Sequence, residues 1–333
     1  MSDISIIGAG SWGTALSVVL HKNGHKITIW SALAPEIEML KEKHEQAEKL
    51  PGVILPDDIM FTTDLKEAIE GKDMLVLAVP SPFTRSTAKA MSPFVAEGQL
   101  IVSVAKGIEE NTLMTLSEII MEEIPQCEVA VLCGPSHAEE VGKEIPTSLV
   151  AGAKKRATAE LVQNTFMSEV LRVYTSPDVL GMEIGASLKN VIALAAGMAG
   201  YGDNTKAALI TRGISEMGRL ALAMGAKYET LSGLTGMGDL IVTCASKHSR
   251  NRRAGYLMGQ GYTMQQAMDE VKMVVEGVYS AKAAIALAKK YHVDMPIIEQ
   301  VNEVLFENKP AKDAVKELML RDKKVEHDDL EWQ

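Results

Sequence analysis

Lys106 and Lys189 are the side chains of this 333-residue chain whose neighbours best suit proton chemistry. Lys189 stands beside Asn190 in a helical stretch from Gly185 to Leu194 whose other members are apolar or small. A lysine so placed either snorkels to solvent or is desolvated. In the second case burial and a neighbouring cation lower its pKa and make it a usable proton donor or acceptor. Lys106 follows the apolar run Leu100–Val104, where a strand should end. Cys133-Gly134-Pro135-Ser136-His137-Ala138 follows a similar run, with Ser136 placed to cap the next helix and His137 a weaker base candidate than the lysines. Further on come Gly233-Leu-Thr-Gly-Met-Gly-Asp239, Thr243, and the cationic run Lys247-His248-Ser249-Arg250-Asn251-Arg252-Arg253. That run reads either as a helix end with solvated charges or as a phosphate site. Arginine's fork beside serine and asparagine donors is the chemistry of phosphate capture. Val274-Val275-Glu276-Gly277 reads as a helix start.

The stretch that must position these groups is Ile4 to Leu16. A β-branched run ends in Gly8-Ala9-Gly10-Ser11-Trp12-Gly13 and passes directly into a helical pattern closed by Asn23-Gly24. This is the glycine fingerprint of a dinucleotide site, with a strand before it and a helix after it. Gly8 permits the tight turn, Gly10 lets the backbone approach a pyrophosphate, and Gly13 lets the helix pack on the strand. The helix N-terminus supplies N–H groups and partial positive charge.

Apolar runs at Met74–Val79, Leu100–Val104 and Val129–Leu132 alternate with helical segments near 35–48, 64–70, 82–91 and 113–123. Such alternation predicts an α/β fold built on a Rossmann-like doubly wound parallel sheet. Runs at 147–152 and 170–175 extend the same sheet. From Ser176-Pro177 onward the pattern is helical, with Ser176 as N-cap and Pro177 opening the helix. The chain therefore divides into a dinucleotide-binding unit, 1–177, and an all-helical substrate unit, 178–333, with the site in the cleft between them.

A net charge of −10 argues against nucleic acid or an anionic membrane as main partner. Cys127, Cys133 and Cys244 form neither a disulfide framework nor a zinc site. The chain opens without a signal-peptide pattern, and its most apolar run, Val191–Ala199, is shorter than the ~20 residues of a membrane span. A cytoplasmic protein is expected. No metal site is expected either: His44-Glu45-Gln-Ala-Glu48 lacks the second histidine of a zinc motif and reads as a solvated helix face.

Taken in order, these segments resemble the bacterial NAD(P)-dependent glycerol-3-phosphate dehydrogenase family over nearly the whole chain. The carriers are Gly-Ala-Gly-Ser-Trp-Gly-Thr-Ala, Ser-Val-Ala-Lys106-Gly, Gly134-Pro-Ser136-His-Ala138, Leu-Lys189-Asn190-Val, Gly-Asp239-Leu-Ile-Val-Thr243, Ser249-Arg250-Asn251 and Val-Val-Glu276-Gly. One departure is that Met198-Ala-Gly200 leads directly to Tyr201-Gly-Asp-Asn204, a shorter stretch than the family usually has.

The resemblance implies reversible reduction of dihydroxyacetone phosphate to sn-glycerol 3-phosphate for glycerophospholipid synthesis. Lys189 would be general acid and base, with Lys106, Asn190 and Asp239 orienting substrate oxygens and Thr243 assisting. Gly134 and Ser136 would wall the substrate, and Ser249, Arg250 and Asn251 its phosphate. Gly8, Gly10, Ser11, Trp12, Gly13, Ala32, Lys106, Ala138, Arg250, Val274 and Glu276 would contact the dinucleotide. NAD-specific sites place an acid at the end of the second strand. Here that position reads Trp30-Ser31-Ala32, with neither acid nor arginine, so NADP(H) is expected with NAD(H) tolerated. A homodimer is expected. The rival readings are a related two-domain dehydrogenase of the 6-phosphogluconate or 3-hydroxyacyl-CoA type and a dinucleotide-sensing module without turnover.

Overall fold

The computed structural model describes residues 1–200 and 202–326. Tyr201 and 327–333, the last residues of the expected helical unit, lie outside the described residues. The first unit opens with β1 (Asp3–Ile7), α1 (Ser11–Lys22), β2 (Lys26–Trp30), α2 (Ala34–Lys43) and β3 (Met60–Thr62). It continues through α3 (Leu65–Ile69), β4 (Met74–Leu77), α4 (Thr84–Met91), β5 (Leu100–Ser103) and α5 (Leu116–Glu123). It closes with β6 (Glu128–Cys133), α6 (Ala138–Val141), β7 (Thr147–Ala153), α7 (Arg156–Phe166) and β8 (Leu171–Ser176).

These strands form one eight-stranded sheet in the order β3-β2-β1-β4-β5-β6-β7-β8. Every pair is parallel except β6 with β7, which run antiparallel from Ala130 opposite Ala153 to Cys133 opposite Val150. The fully parallel sheet expected from the alternation is thus corrected at one seam. The connection there holds only the single turn α6, too short to carry the chain back along β6 as a parallel crossover requires. Alternate residues of β1 and β4 feed the two faces. Ile4, Ile6 and Val76 pack under α1, while Ile7, Leu75 and Leu77 join Ile101 and Met91 on the other side. Burial on both faces explains the unbroken apolar runs.

After β8 the chain is helical. α8 (Val179–Ala199) and α9 (Asp203–Ala223) are the long members, followed by α10 (Tyr228–Ser232), α11 (Asp239–Ala245), α12 (Arg250–Gly259) and α13 (Met264–Val271). α14 (Glu276–Tyr291), α15 (Pro296–Phe306) and α16 (Ala311–Met319) complete it. α8 is the axis of this unit and is buried along almost its whole length. It is long and apolar enough to cross a bilayer, which the shorter run read from the sequence did not reveal, but 89% of its most apolar window is buried against the rest of the chain. It is a core helix. α12 crosses it at backbone contact: a Cβ on Gly255 would collide with the Leu194 carbonyl, and one on Gly197 with the Arg252 carbonyl. The shortened stretch leaves α8 intact to Ala199, with Gly200 closing it in the left-handed conformation.

Several local expectations shift. α2 ends at Lys43 because His44 turns left-handed, so 44–48 is no helix face, and Gln46 is fully buried. Asp178, not Ser176, caps α8, accepting from Gly181 N at 3.0 Å, while Ser176 Oγ accepts from Asp178 N. His137, not Ser136, occupies the N-cap position of α6.

Glu216 on α9 is buried and accepts from the N–H groups of Ile297 (2.9 Å) and Ile298 (3.4 Å), capping α15. Burial pushes its carboxyl up to about 7 from its ordinary 4.5, against the pull of those two N–H groups. Because the folded-state value is the higher one, this group's contribution to stability is present below about 4.5 and is lost as pH rises through about 7. The span corresponds to roughly 3 kcal/mol. Glu216→Gln should flatten that fall, read as Tm against pH from 4.5 to 8. Parallel curves for the two proteins would refute it.

Candidate active site

The glycine loop has the form a pyrophosphate needs. Gly8 has φ +126°, and a Cβ there would lie 2.8 Å from the Ala78 carbonyl carbon. A Cβ on Gly13 would collide with the Gly8 carbonyl oxygen, so this glycine is what lets α1 begin against the turn. Gly10 faces open space, with no atom within 4 Å of where its Cβ would stand. Gly10 also occupies the N-cap of α1 without any side chain bonding the helix end, and the first turn carries no acid. Ser11 and Trp12 flank it half-buried. Open N–H groups, no competing anion and room at Gly10 fit a dinucleotide diphosphate.

At the end of β2 the structure corrects the reading of Trp30-Ser31-Ala32. Ala32 is exposed, but Ser31 Oγ donates to Glu36 Oε2 at 2.5 Å, so an acid does reach this point, from the first turn of α2. Lys49 Nζ (2.5 Å) and Gln46 Nε2 (3.0 Å) donate to its other oxygen, and Gln46 also donates to the Ala9 carbonyl of the glycine loop. Glu36 is therefore present but neutralised by Lys49.

The two lysines meet at one carboxylate. Asp239, fully buried, accepts from Lys189 Nζ through Oδ1 at 2.6 Å and from Lys106 Nζ through Oδ2 at 2.7 Å. Lys106 comes from the loop after β5, Lys189 from the middle of α8, and Asp239 from the first residue of α11. A single π-turn, Leu234–Gly238, swings Asp239 inward; such turns recur at functional sites. Lys189 Nζ also donates to Thr243 Oγ1 at 2.7 Å, and Lys106 Nζ to the Gly134 carbonyl at 3.0 Å. Ser136 Oγ, 3.4 Å from Lys106 Nζ, donates to the same carbonyl, and Ala138 lies buried just beyond.

Burial pulls the Lys189 ammonium down, Asp239 pulls it back, and Lys106 lowers it again, leaving it at about 8. Burial also weighs on Lys106, but attraction to Asp239 outweighs it and raises the group. Asp239 is pushed up by burial and, more strongly, down by the two lysines, so it stays ionised.

A second network runs beside the first. Asn251 Nδ2 donates to Asn190 Oδ1 at 2.9 Å, and Asn251 Oδ1 accepts from Gly277 N at 2.9 Å. Asn190 Nδ2 lies 3.5 Å from Glu276 Oε2, and Arg250 Nη1 donates to the Val274 carbonyl at 3.1 Å. Ser249 Oγ is occupied as the N-cap of α12, accepting from Arg252 N at 3.1 Å. The cationic run thus divides: Ser249, Arg250 and Asn251 turn inward, while Lys247, His248 and Arg253 are exposed.

Sequence reading missed Glu183. This buried carboxylate on α8 accepts from Ser117 N (2.9 Å) and Ser117 Oγ (2.5 Å) at the start of α5, joining the helical unit to the sheet unit. Its one signal was an acid in a mostly apolar helix. Glu36, Gln46 and Lys49 had no comparable signal, because their meeting depends on the turn at His44. Among the described residues no cluster of three or more His, Cys, Asp or Glu could hold a metal ion.

A doubly wound sheet with an open glycine loop, joined to a helical unit with an inward arginine through a buried Lys–Asp–Lys bridge that takes one lysine from the sheet unit, defines a two-domain dinucleotide-dependent dehydrogenase. The profile described as NAD-dependent glycerol-3-phosphate dehydrogenase N-terminus matches residues 3–159, and its C-terminal counterpart matches residues 178–316. The chain belongs to the NAD-dependent glycerol-3-phosphate dehydrogenase family. It is 72% identical to glycerol-3-phosphate dehydrogenase (NAD(P)+) of Agathobacter rectalis over 335 aligned positions covering 100% of both chains. It is 60% identical to the protein of that name from Fusobacterium nucleatum, over 98% of this chain and 99% of the other. The crystal structure of glycerol-3-phosphate dehydrogenase from Coxiella burnetii superimposes with a TM-score of 0.93 at 35% identity, covering 96% of this chain and 99% of that one.

Proposed function

We propose that the chain catalyses the reversible reduction of dihydroxyacetone phosphate to sn-glycerol 3-phosphate, with Lys189 as general acid in reduction and general base in oxidation. The observation that carries this is the state of the Lys189 ammonium. It is buried, spends two donors on Asp239 and Thr243, and among the described residues has no partner for its third proton. A bound nicotinamide dinucleotide supplies the hydride. Lys106, fixed by Asp239 and Gly134, aims a second cation at the same carbonyl oxygen and stabilises charge that develops there. Asn190 holds a substrate hydroxyl. Gly134 and Ser136 wall the substrate, and Arg250 and Asn251 take its phosphate, with Ser249 setting the helix start that presents them.

Gly8, Gly10, Ser11, Trp12 and Gly13 cradle the diphosphate, and Ala32, Lys106, Ala138, Arg250, Val274 and Glu276 line the rest of the dinucleotide path. NADP(H) is preferred and NAD(H) accepted, since Lys49 offsets the Glu36 charge at the ribose end. The protein works in the cytoplasm, supplies glycerophospholipid synthesis, and forms a homodimer through its helical unit, where Leu222, Tyr228 and Ile241 are exposed. The dinucleotide-binding unit is taken as 1–177 and the helical substrate unit as 178–333.

The deciding experiment follows reduced-nicotinamide absorbance with dihydroxyacetone phosphate, separately with NADPH and NADH. Oxidation that depends on the ketone supports the reading, and the ratio of rates tests the cofactor preference. Cofactor-binding protein with no such oxidation would refute it. Arg250→Ala should raise the KM for the phosphorylated ketone about tenfold or more, the scale of a lost hydrogen bond to a charged group, and change kcat far less. An unchanged KM would move the phosphate site elsewhere.

A further inference from the structure

Most of the polar groups in the cleft are accounted for. Lys106, Lys189, Asp239, Thr243, Asn190 and Asn251 all have hydrogen-bond partners. His137 Nε2 is buried and has none among the described residues. An unsatisfied buried nitrogen costs about 1–3 kcal/mol, and such groups in native folds call for an explanation. His137 does not cap α6 with its side chain, so local structure does not use the ring.

Its surroundings narrow the explanation. Its backbone follows Ser136, whose hydroxyl lies against Lys106, and precedes Ala138. Across the cleft its ring lies 5.9 Å from that of His248, the residue next to Ser249, Arg250 and Asn251. Burial first, then Lys189 and Lys106, hold the imidazole below its ordinary value against the opposing pull of Glu139 and Glu140, so the ring is neutral at pH 7. Two lysine cations already act on the ring from one side. On another side stands His248, two residues before Arg250 and three before Asn251 in the segment whose Arg250 and Asn251 turn inward.

We propose that His137 is a substrate-binding residue, donating Nε2–H to a phosphate oxygen of the substrate opposite Arg250 and Asn251. A neutral donor adds a directed bond there without a further charge beside the lysines, whose proton chemistry depends on their balance with Asp239. The exposed His248 side chain stands next to the ring, so the incoming phosphoryl group displaces it and takes up the open hydrogen bond. This inference rests on the proposed substrate and assigns it one more contact.

The test exploits side-chain reach. The amide nitrogen of glutamine extends about as far as Nε2, whereas that of asparagine stops near Nδ1. Both are polar and smaller than the ring, so they fold alike. The expected result is a KM for dihydroxyacetone phosphate close to wild type in His137→Gln and raised about tenfold or more in His137→Asn and His137→Leu. kcat and NADPH affinity should be little changed, and kcat/KM for unphosphorylated dihydroxyacetone should be unchanged. Equal KM values in the Gln and Asn variants, an equal loss with dihydroxyacetone, or a weakened NADPH affinity would each overturn the inference. A wild-type protein that reduces no dihydroxyacetone phosphate would instead sink the proposed function, and the two failures cannot be confused.

Discussion

Replacing Lys189 with methionine is expected to lower turnover by at least ~10²-fold, the low end for general acid–base catalysis, while leaving cofactor affinity near wild type. Methionine has similar length and suits the apolar wall of α8, so the fold should tolerate it. The glycine loop is on the other unit, and the hydrogen bonds of this side chain go to Asp239 and Thr243. The wild-type pH profile carries the same assignment. Lys189 sits at about 8, and ketone reduction needs its ammonium, so reduction should fall as pH rises through about 8 and the reverse oxidation should climb over the same range. In the methionine variant both limbs should vanish from the residual rate. A variant that keeps near-wild-type turnover, or keeps the limb near 8, removes Lys189 from the role.

The second large effect should come from Asp239→Asn. One carboxylate now balances two ammonium groups at 2.6 and 2.7 Å. The amide removes that charge and leaves two buried cations facing each other, and breaking a buried pair from one side costs about 3–5 kcal/mol. Tm should fall by several degrees. Lys189, already lowered by burial and by Lys106, loses the attraction that opposed them and moves further down. At neutral pH the ammonium is then depleted, and reduction should drop at least ~10-fold with partial recovery on acidification. A loss of rate that does not respond to pH would show that Asp239 acts by geometry alone. Asp239→Glu separates the two effects, because it keeps the charge while displacing the carboxylate.

The parts of this site legible in the sequence share a property: each is local. The glycine turn, the lysine after β5 and the Lys–Asn pair inside an apolar helix can each be read from a dozen neighbours, because strand ends and helix interiors impose composition. Asp239 takes its role from the family resemblance rather than from its surroundings, since nothing around Gly-Met-Gly-Asp indicates a π-turn. The direction of β7 was not legible at all. An apolar run has the same pattern whichever way the strand points, and only the brevity of α6 decides it. The carboxylate at the ribose end escaped for a different reason. Glu36 lies on a helix beyond the strand end, and its approach to Ser31 depends on Gln46 and Lys49 folding back after His44 turns left-handed. Glu183 likewise reads as an ordinary helix acid until its partner at the start of α5 is known.

The contact of α8 with α12 bears on how this scaffold could be altered. Main chain meets main chain at Gly197 and Gly255, and a Cβ on Gly277 would lie 2.6 Å from the Asn190 carbonyl, next to Lys189. With no side-chain layer between them, these helices have nothing to repack, and any residue larger than glycine would shift the axis that carries Lys189. The opposite wall, from Gly134 to Ala138, is a loop and one turn of helix. Efforts to redirect the protein toward other ketones should therefore vary that wall and leave the glycine contacts of the helical core unchanged.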